Sequence, residues 1–332
     1  MEVLERLFRT CDIRDPRVIV GPRVGEDAAV LDLGDRYLVA KTDPITFVAE
    51  EIGWYAVHVN ANDLAVRGAQ PCWFLMTLLL PEARADEKLL GSIFAQVQDA
   101  CRAVGATLVG GHTEVTQGLD RPILVGAMLG EVEKDRLVTT AGARVGDAVL
   151  LTKGIAVEGA SILARECGRL LAERGVSPEI QRGARELLHR PGISVLRDAR
   201  VALDTVSIHA MHDPTEGGLA TGLLELALAA GVGVRIERAA IPVLPECRAV
   251  CQALGLDPLG MIASGALLLT CPFQEADRLV AAWQAEGIVG RIIGRVTPRE
   301  AGLTLLEAGQ ENPLPRFPRD EVARLFDENP GS

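Results

Sequence analysis

The sequence predicts a layered α/β or α+β fold in two domains, and three observations predict it. Short β-rich runs alternate with helical stretches along the chain. The 332 residues, 48% of them hydrophobic, suffice for about two separate cores. Between Ala141 and Asp147 the pattern pauses in a small, polar stretch, and the boundary is set there. An N-terminal domain over 1–143, a C-terminal domain over 148–308 and a loose tail over 309–332 are expected.

In order, Ala28 to Leu33 and Tyr37 to Thr42 read as strands of a hairpin turning at Gly34-Asp35-Arg36. Glu50 to Arg67 has helical periodicity closing at Gly68, with Asp63 in its last turns. Cys72 to Leu80 is nearly all apolar and ends at Pro81, the pattern of a buried strand. A helix over Asp86 to Val104 stops at Gly105. The strand Thr107 to Val109 then leads into Gly110-Gly111-His112-Thr113-Glu114, and Pro122 to Glu131 is another strand.

The second half opens with a strand at Ala148 to Thr152, then helices near Glu158 to Glu166, Glu179 to His189 and Ser194 to Leu203. A strand at Val206 to Met211, a helix at Gly217 to Ala230 and a strand at Gly233 to Ile236 follow. A short helix at Pro245 to Leu254, a strand at Ala266 to Thr270, a helix at Glu275 to Glu286 and a strand at Gly290 to Val296 complete it. Pro313, Pro315, Pro318 and Pro330 mark the tail as a surface segment with one short helix.

Composition narrows the function classes. The net charge of −11 leaves no electrostatic footprint for nucleic acid and is repelled by anionic membrane. The longest apolar runs fall far short of the ~20 residues of a spanning helix, and the N-terminus lacks a signal-peptide pattern, so a cytoplasmic location is expected. Seven scattered cysteines without a CxxC pair fit a reducing compartment and buried roles.

Three aspartates interrupt apolar stretches near element ends: Asp27 in Gly25-Glu26-Asp27-Ala28-Ala29, Asp43 in Lys41-Thr42-Asp43-Pro44, and Asp63 in Asn60-Ala61-Asn62-Asp63-Leu64-Ala65. One such Asp is most often a cap or turn residue. Converging, they would hold magnesium, which prefers hard oxygen ligands and leaves room for phosphates. Gly110-Gly111 would let the backbone approach a ligand, with His112 and Glu114 at the same edge. His212-Asp213-Pro214-Thr215-Glu216-Gly217-Gly218, after a strand and before a helix, would offer N–H groups to an anion or a carboxylate to a cation; the alternative is a helix N-cap. Lys153 and Glu158, in Thr152-Lys153-Gly154-Ile155-Ala156-Val157-Glu158, either line the acceptor side of a cleft or are a solvated lysine and a helix-start glutamate. A GxxxxGK[ST] loop and a GxSxG elbow are absent.

With Val59-Asn60-Ala61-Asn62-Asp63-Leu64-Ala65, Gly68-Ala69-Gln70-Pro71 and Gly110-Gly111-His112-Thr113 added, the chain resembles the aminoimidazole ribonucleotide synthetase superfamily. That superfamily includes PurM, thiamine-monophosphate kinase, selenophosphate synthetase and HypE. The resemblance spans about Gly21 to Val296. Met211 to Leu219 and Cys251 to Pro258 look most like the HypE branch, while Ile52-Gly53-Trp54 is shared with the kinase branch.

The resemblance implies a PurM-like two-domain fold and a homodimer whose N-terminal domains pair into a β-barrel, with ATP and Mg2+ bound close to the interface. It makes Asp27, Asp43, Asp63 and Asp213 the magnesium ligands. Asn60, Asn62, Gly110, Gly111, Thr113 and Glu114 would bind the cofactor, and Asp43, His112 and Asp213 would serve the reaction. The implied chemistry is phosphorylation of an acceptor oxygen, with an amide-like group activated for dehydration. The acceptor is a small molecule or a thiocarboxamide-type group. Two departures stand out: His112 occupies a position that is commonly acidic in the family, and the last cysteine is Cys271, whereas HypE carries its substrate on a C-terminal cysteine. Two alternatives stay open, a small-molecule kinase like thiamine-monophosphate kinase and a non-catalytic nucleotide-binding regulator.

Overall fold

The computed structural model describes residues 6–8, 10–23 and 25–328, and the chain divides into two compact units. Asp27–Leu137 with Arg6–Pro22 make the N-terminal unit; Val138 onward, with Arg23–Glu26, makes the C-terminal one.

The N-terminal unit runs β1 (Val18–Val20), β2 (Ala29–Asp32), β3 (Arg36–Ile45), α1 (Ile52–Ala65), β4 (Gln70–Pro81), α2 (Glu87–Val104), β5 (Thr107–Thr116) and β6 (Ile123–Glu133). Its six-stranded sheet has the order β1-β2-β3-β6-β4-β5. Neighbours are antiparallel except β4 and β5, which α2 joins as a parallel pair. Asp86 caps α2, accepting from Leu89 N at 2.7 Å, and Gly105 ends it in the left-handed region, as its sequence signals require. Helix α1 is different. All but one of its residues are buried, so it carries Asn60, Asn62 and Asp63 into the interior of the unit. Gly126 on β6 makes room for it: a Cβ there would lie 2.5 Å from Asn60 Nδ2.

The C-terminal unit contains β7 (Ala148–Thr152), α3 (Val157–Glu166), α4 (Gly168–Glu173), α5 (Pro178–Glu186), α6 (Leu196–Thr205), β8 (Ala210–His212), α7 (Gly218–Ala230), β9 (Gly233–Glu237), α8 (Pro245–Leu254), β10 (Leu268–Cys271), α9 (Ala276–Ala285), β11 (Gly290–Thr297), β12 (Leu303–Glu307), β13 (Gln310–Pro313) and α10 (Glu321–Glu328). The sheet order is β13-β12-β9-β11-β7-β10-β8. Because β10 is antiparallel to both β7 and β8, and β11 to both β7 and β9, strands β9, β7 and β8 point the same way. The segments after them therefore emerge at one edge of the sheet. These are 238–244, Lys153–Ala156 and Asp213–Gly217.

Two expectations need correcting. Gly110-Gly111 does not follow a strand but lies inside β5, because Thr113, Val115 and Thr116 continue it with strand-forming residues. The tail is not loose up to Glu328. Strand β13 pairs with β12, Leu314, Val322 and Leu325 are buried, and the prolines stiffen an extended strap between them. Cys271 lies fully buried in β10, as its apolar surroundings predict. No helix of the described residues is long and apolar enough to cross a membrane.

Candidate functional site

In the N-terminal unit the site is built on β3 and α1. Lys41 and Asp43 alternate by two along β3 and so share a face, while Asn60, Asp63 and Arg67 recur at helical spacing. The Lys41 ammonium lies 3.4 Å from Asp43 Oδ2 and 3.3 Å from Asp63 Oδ2, with the Asp63 side chain only 4% exposed. A cation thus already bridges these two carboxylates. Asn60 donates from Nδ2 to Ala56 O at 2.8 Å and to Asp43 O at 3.4 Å, but its buried Oδ1 has no hydrogen-bond partner. Arg67, fully buried, pairs with Asp27 Oδ2 at 3.1 Å. Lys41 and Arg67 were not singled out in the sequence; the i+2 and i+4 spacings to Asp43 and Asp63 were the available signals.

The hard-oxygen donors, the ammonium standing between two of them and the orphaned Asn60 Oδ1 fit a small divalent cation with waters. Asn62 is fully buried beside Asp63.

The glycine motif sits elsewhere on the same sheet. The pairing runs Asp43 to Gly126, Gly126 to Met76 and Met76 to Gly111, so Asp43 and Gly111 share one row with two strands between them. At about 4.8 Å per strand the separation is about 14 Å along the sheet. Within one chain, Gly110, Gly111, His112, Thr113 and Glu114 are thus not brought beside Asp43. Gly111 is needed for packing, since a Cβ there would lie 1.9 Å from Met76 O. His112, Thr113 and Glu114 are exposed on β5, whose outer edge pairs with no described strand; His112 Nε2 lies 3.9 Å from Glu114 Oε2.

In the C-terminal unit Asp213 is 1% exposed in the turn between β8 and α7. His212 beside it is 2% exposed, with Nε2 3.0 Å from Glu225 Oε2. Helix α7 starts on Gly217 in the left-handed region without a side-chain cap of its own. The carboxylate expected at this turn comes from the far end of the chain. Asp320 Oδ2 accepts from Gly217 N at 2.8 Å while its Oδ1 accepts from Val322 N at 2.8 Å. Burial pushes the Asp320 carboxyl up to about 6, against these backbone hydrogen bonds. A cavity of about 610 Å³ opens beside the turn, lined by Glu216, Thr221, Leu224, Leu303, Phe317 and Asp320 among others.

Lys153 and Glu158 are neither solvated nor peripheral. Lys153 is 7% exposed; its Nζ donates to Ser194 O and lies 3.3 Å from Asp198 Oδ2. Glu158 is 3% exposed and accepts from Ser264 N at 3.3 Å.

The two-domain topology and the aspartate-bearing elements define a member of the PurM-like class of ATP-dependent enzymes. The chain belongs to the AIR synthase related proteins: the N-terminal domain of that family matches residues 25–132 and the C-terminal domain residues 144–305. Within it, the chain lies with HypE. It is 35% identical to "Carbamoyl dehydratase HypE" of Cupriavidus necator over 82% of this chain and 77% of that protein. Among solved structures, Escherichia coli HypE superposes with a TM-score of 0.76 at 26% identity, covering 98% of both chains. HypE in complex with ATP superposes with a TM-score of 0.70 at 28% identity, covering 91% of this chain and 92% of that one.

Proposed function

We propose that the protein is a HypE-type ATP-dependent enzyme that phosphorylates the oxygen of a carbamoyl or similar amide-like acceptor and so activates it for dehydration. The observation that carries this reading is the Asp43–Lys41–Asp63 arrangement with the orphaned Asn60 Oδ1, in a chain related to a carbamoyl dehydratase. Asp27, Asp43 and Asp63 in the N-terminal unit and Asp213 in the C-terminal unit are the groups that would hold magnesium. When bound, that ion supplies charge neutralisation for the transferring phosphoryl group. Asn60 and Asn62 orient phosphate oxygens, and Asp43 and Asp213 serve the reaction by holding the transferring group in place. Gly110, Gly111, Thr113 and Glu114 approach the nucleotide only if the β5 edge joins a second chain, and in that case His112 stands near it with a ring nitrogen able to hydrogen-bond or carry a proton.

The acceptor in this reading is a small molecule or a thiocarboxamide-type group. The buried cysteines are poor carriers: burial pushes the Cys271 and Cys251 thiols up to about 12 and the Cys101 thiol up to about 11, so none is a ready thiolate. A homodimer joined through β5 is supported by its open edge and by Val109 and Val115, more than half exposed on it. Calorimetric titration with a non-hydrolysable ATP analogue, with and without magnesium, tests the nucleotide site. Magnesium-dependent binding that is lost in Asp43→Asn is expected; absence of binding in the wild type refutes the reading. ADP release on adding an S-carbamoyl-cysteine peptide then tests the reaction.

A further inference from the structure

The two carboxylates of the N-terminal site are held together by a lysine. Lys41 and Asp43 stand on one face of β3, two residues apart, and Asp63 reaches that face from α1. The Lys41 Nζ lies 3.4 Å from Asp43 Oδ2 and 3.3 Å from Asp63 Oδ2. Asn60, on the same helix face as Asp63, donates to the Asp43 carbonyl at 3.4 Å and so ties α1 to the same strand. The ammonium acts here as a metal would, offsetting the repulsion between two carboxylates brought to one place.

The three side chains are graded in exposure: Asp63 4%, Lys41 18% and Asp43 30%. A cation entering from solvent meets Asp43 first and comes to Asp63 past the ammonium. Lysine suits a position that has to be given up. Its charge rides on four flexible methylenes and its three N–H donors rotate, whereas the flat fork of an arginine would lock onto the carboxylates. Charge decides what must follow. The two carboxylates and the ammonium carry a net −1, which a divalent ion turns into +1. In a partly buried place that surplus drives the ammonium away from the metal, and a polyphosphate is the ligand that absorbs both.

We propose that Lys41 is a resident counter-ion of the magnesium site: it holds Asp43 and Asp63 together until the metal arrives with its nucleotide, and then passes from these carboxylates to a phosphate oxygen. This rests on the reading above and adds to it a residue that couples metal to nucleotide. Metal and ammonium compete for the same two oxygens, so magnesium alone binds weakly. When phosphates come with the metal, the displaced ammonium finds a new partner, and the competition becomes a second contact to the nucleotide. Couplings of this kind amount to about 5–150-fold in affinity and act equally in both directions.

The test is calorimetric titration of wild type, Lys41→Met and Lys41→Arg with magnesium alone and with the magnesium complex of a non-hydrolysable ATP analogue. Removing the ammonium should move the two affinities in opposite directions. Lys41→Met should bind magnesium alone about tenfold or more tightly than wild type, and the magnesium–analogue complex about tenfold or more weakly. Lys41→Arg keeps the charge on the carboxylates and should bind magnesium alone within about threefold of wild type. Magnesium should also raise the melting temperature of Lys41→Met more than that of wild type, because the metal replaces the lost cation. Lys41→Gln, which keeps a donor for one carboxylate, repeats the test should the methionine variant not fold. A variant whose two affinities fall together, as simple damage to the site would make them, or both stay within about threefold of wild type, overturns the assignment and leaves the nucleotide reading standing. Wild type that binds no magnesium–analogue complex removes that reading and this inference with it.

Discussion

Glu158→Gln makes a prediction that needs no substrate. The Glu158 carboxyl is raised from 4.5 to about 8 by burial, so the folded state holds its proton far more tightly than the unfolded chain does. For a raised carboxyl the stabilisation is complete below the unfolded pKa and is lost as pH climbs through the folded one. A rise of about 3.5 in pKa corresponds, at 1.36 kcal/mol per tenfold, to an upper figure of about 5 kcal/mol lost between pH 4.5 and 8. That is large against a typical net stability of about 5–15 kcal/mol. Glutamine keeps the shape and never ionises, so the two proteins should be within about 1 kcal/mol of each other at pH 5. At pH 9 the variant should be more stable by several kcal/mol. Urea unfolding at pH 5, 7 and 9 measures this, reported by Trp283, which is fully buried in α9 of the C-terminal unit. Trp54 and Trp73 are best replaced by phenylalanine in both proteins, since they lie in the other unit. Asp320, raised to about 6, adds a slope of the same sign to both proteins, and because it faces Glu158 the difference between them reports the coupled pair. Stability curves that stay parallel from pH 5 to 9 would refute the argument.

Three further outcomes are expected. Asp320→Asn turns an amide N–H toward one of two backbone donors, Gly217 N or Val322 N, and should cost about 1–3 kcal/mol in urea unfolding; an unchanged midpoint would mean the strap does not hold the turn. Gly111→Ala forces a Cβ to within 1.9 Å of Met76 O and should lower the melting temperature of the N-terminal unit by a cost of at least about 1–3 kcal/mol, read by calorimetry. Val109→Lys with Val115→Glu puts charge on the exposed β5 strand and should shift the protein from dimer to monomer in sedimentation, whereas an unchanged mass would place any dimer contact elsewhere.

Most of the architecture was legible because its signals are local. Helix α2 announces itself with an Asp86 cap, an apolar stripe and a terminating Gly105, and β4 with an unbroken apolar run. The aspartates were legible for the opposite reason, as polar residues in stretches that otherwise exclude them. What stayed hidden depends on contacts between residues distant in sequence. Nothing near Pro313 reveals that β13 pairs with β12 or that Leu314 is buried, and a run of prolines reads the same in a packed strap as in a free tail. The turn at Gly217 looked ready for an anion, and it does hold a carboxylate, but one supplied by Asp320 from 103 residues away. Lys153 and Glu158 show the same limit at the level of chemistry. A lysine and a helix-start glutamate are ordinary surface residues by type and position; only the closed packing of Thr152 to Ala164 turns the glutamate into a buried, raised carboxyl. Side-chain identity thus marked where carboxylates could gather, whereas their surroundings are set by the tertiary packing that buries one and pairs another. Asp43 and Asp63 share the ammonium of Lys41, whereas among the described residues no cation pairs with Glu158, so the first two are carboxylates held by charge and the third one held by burial.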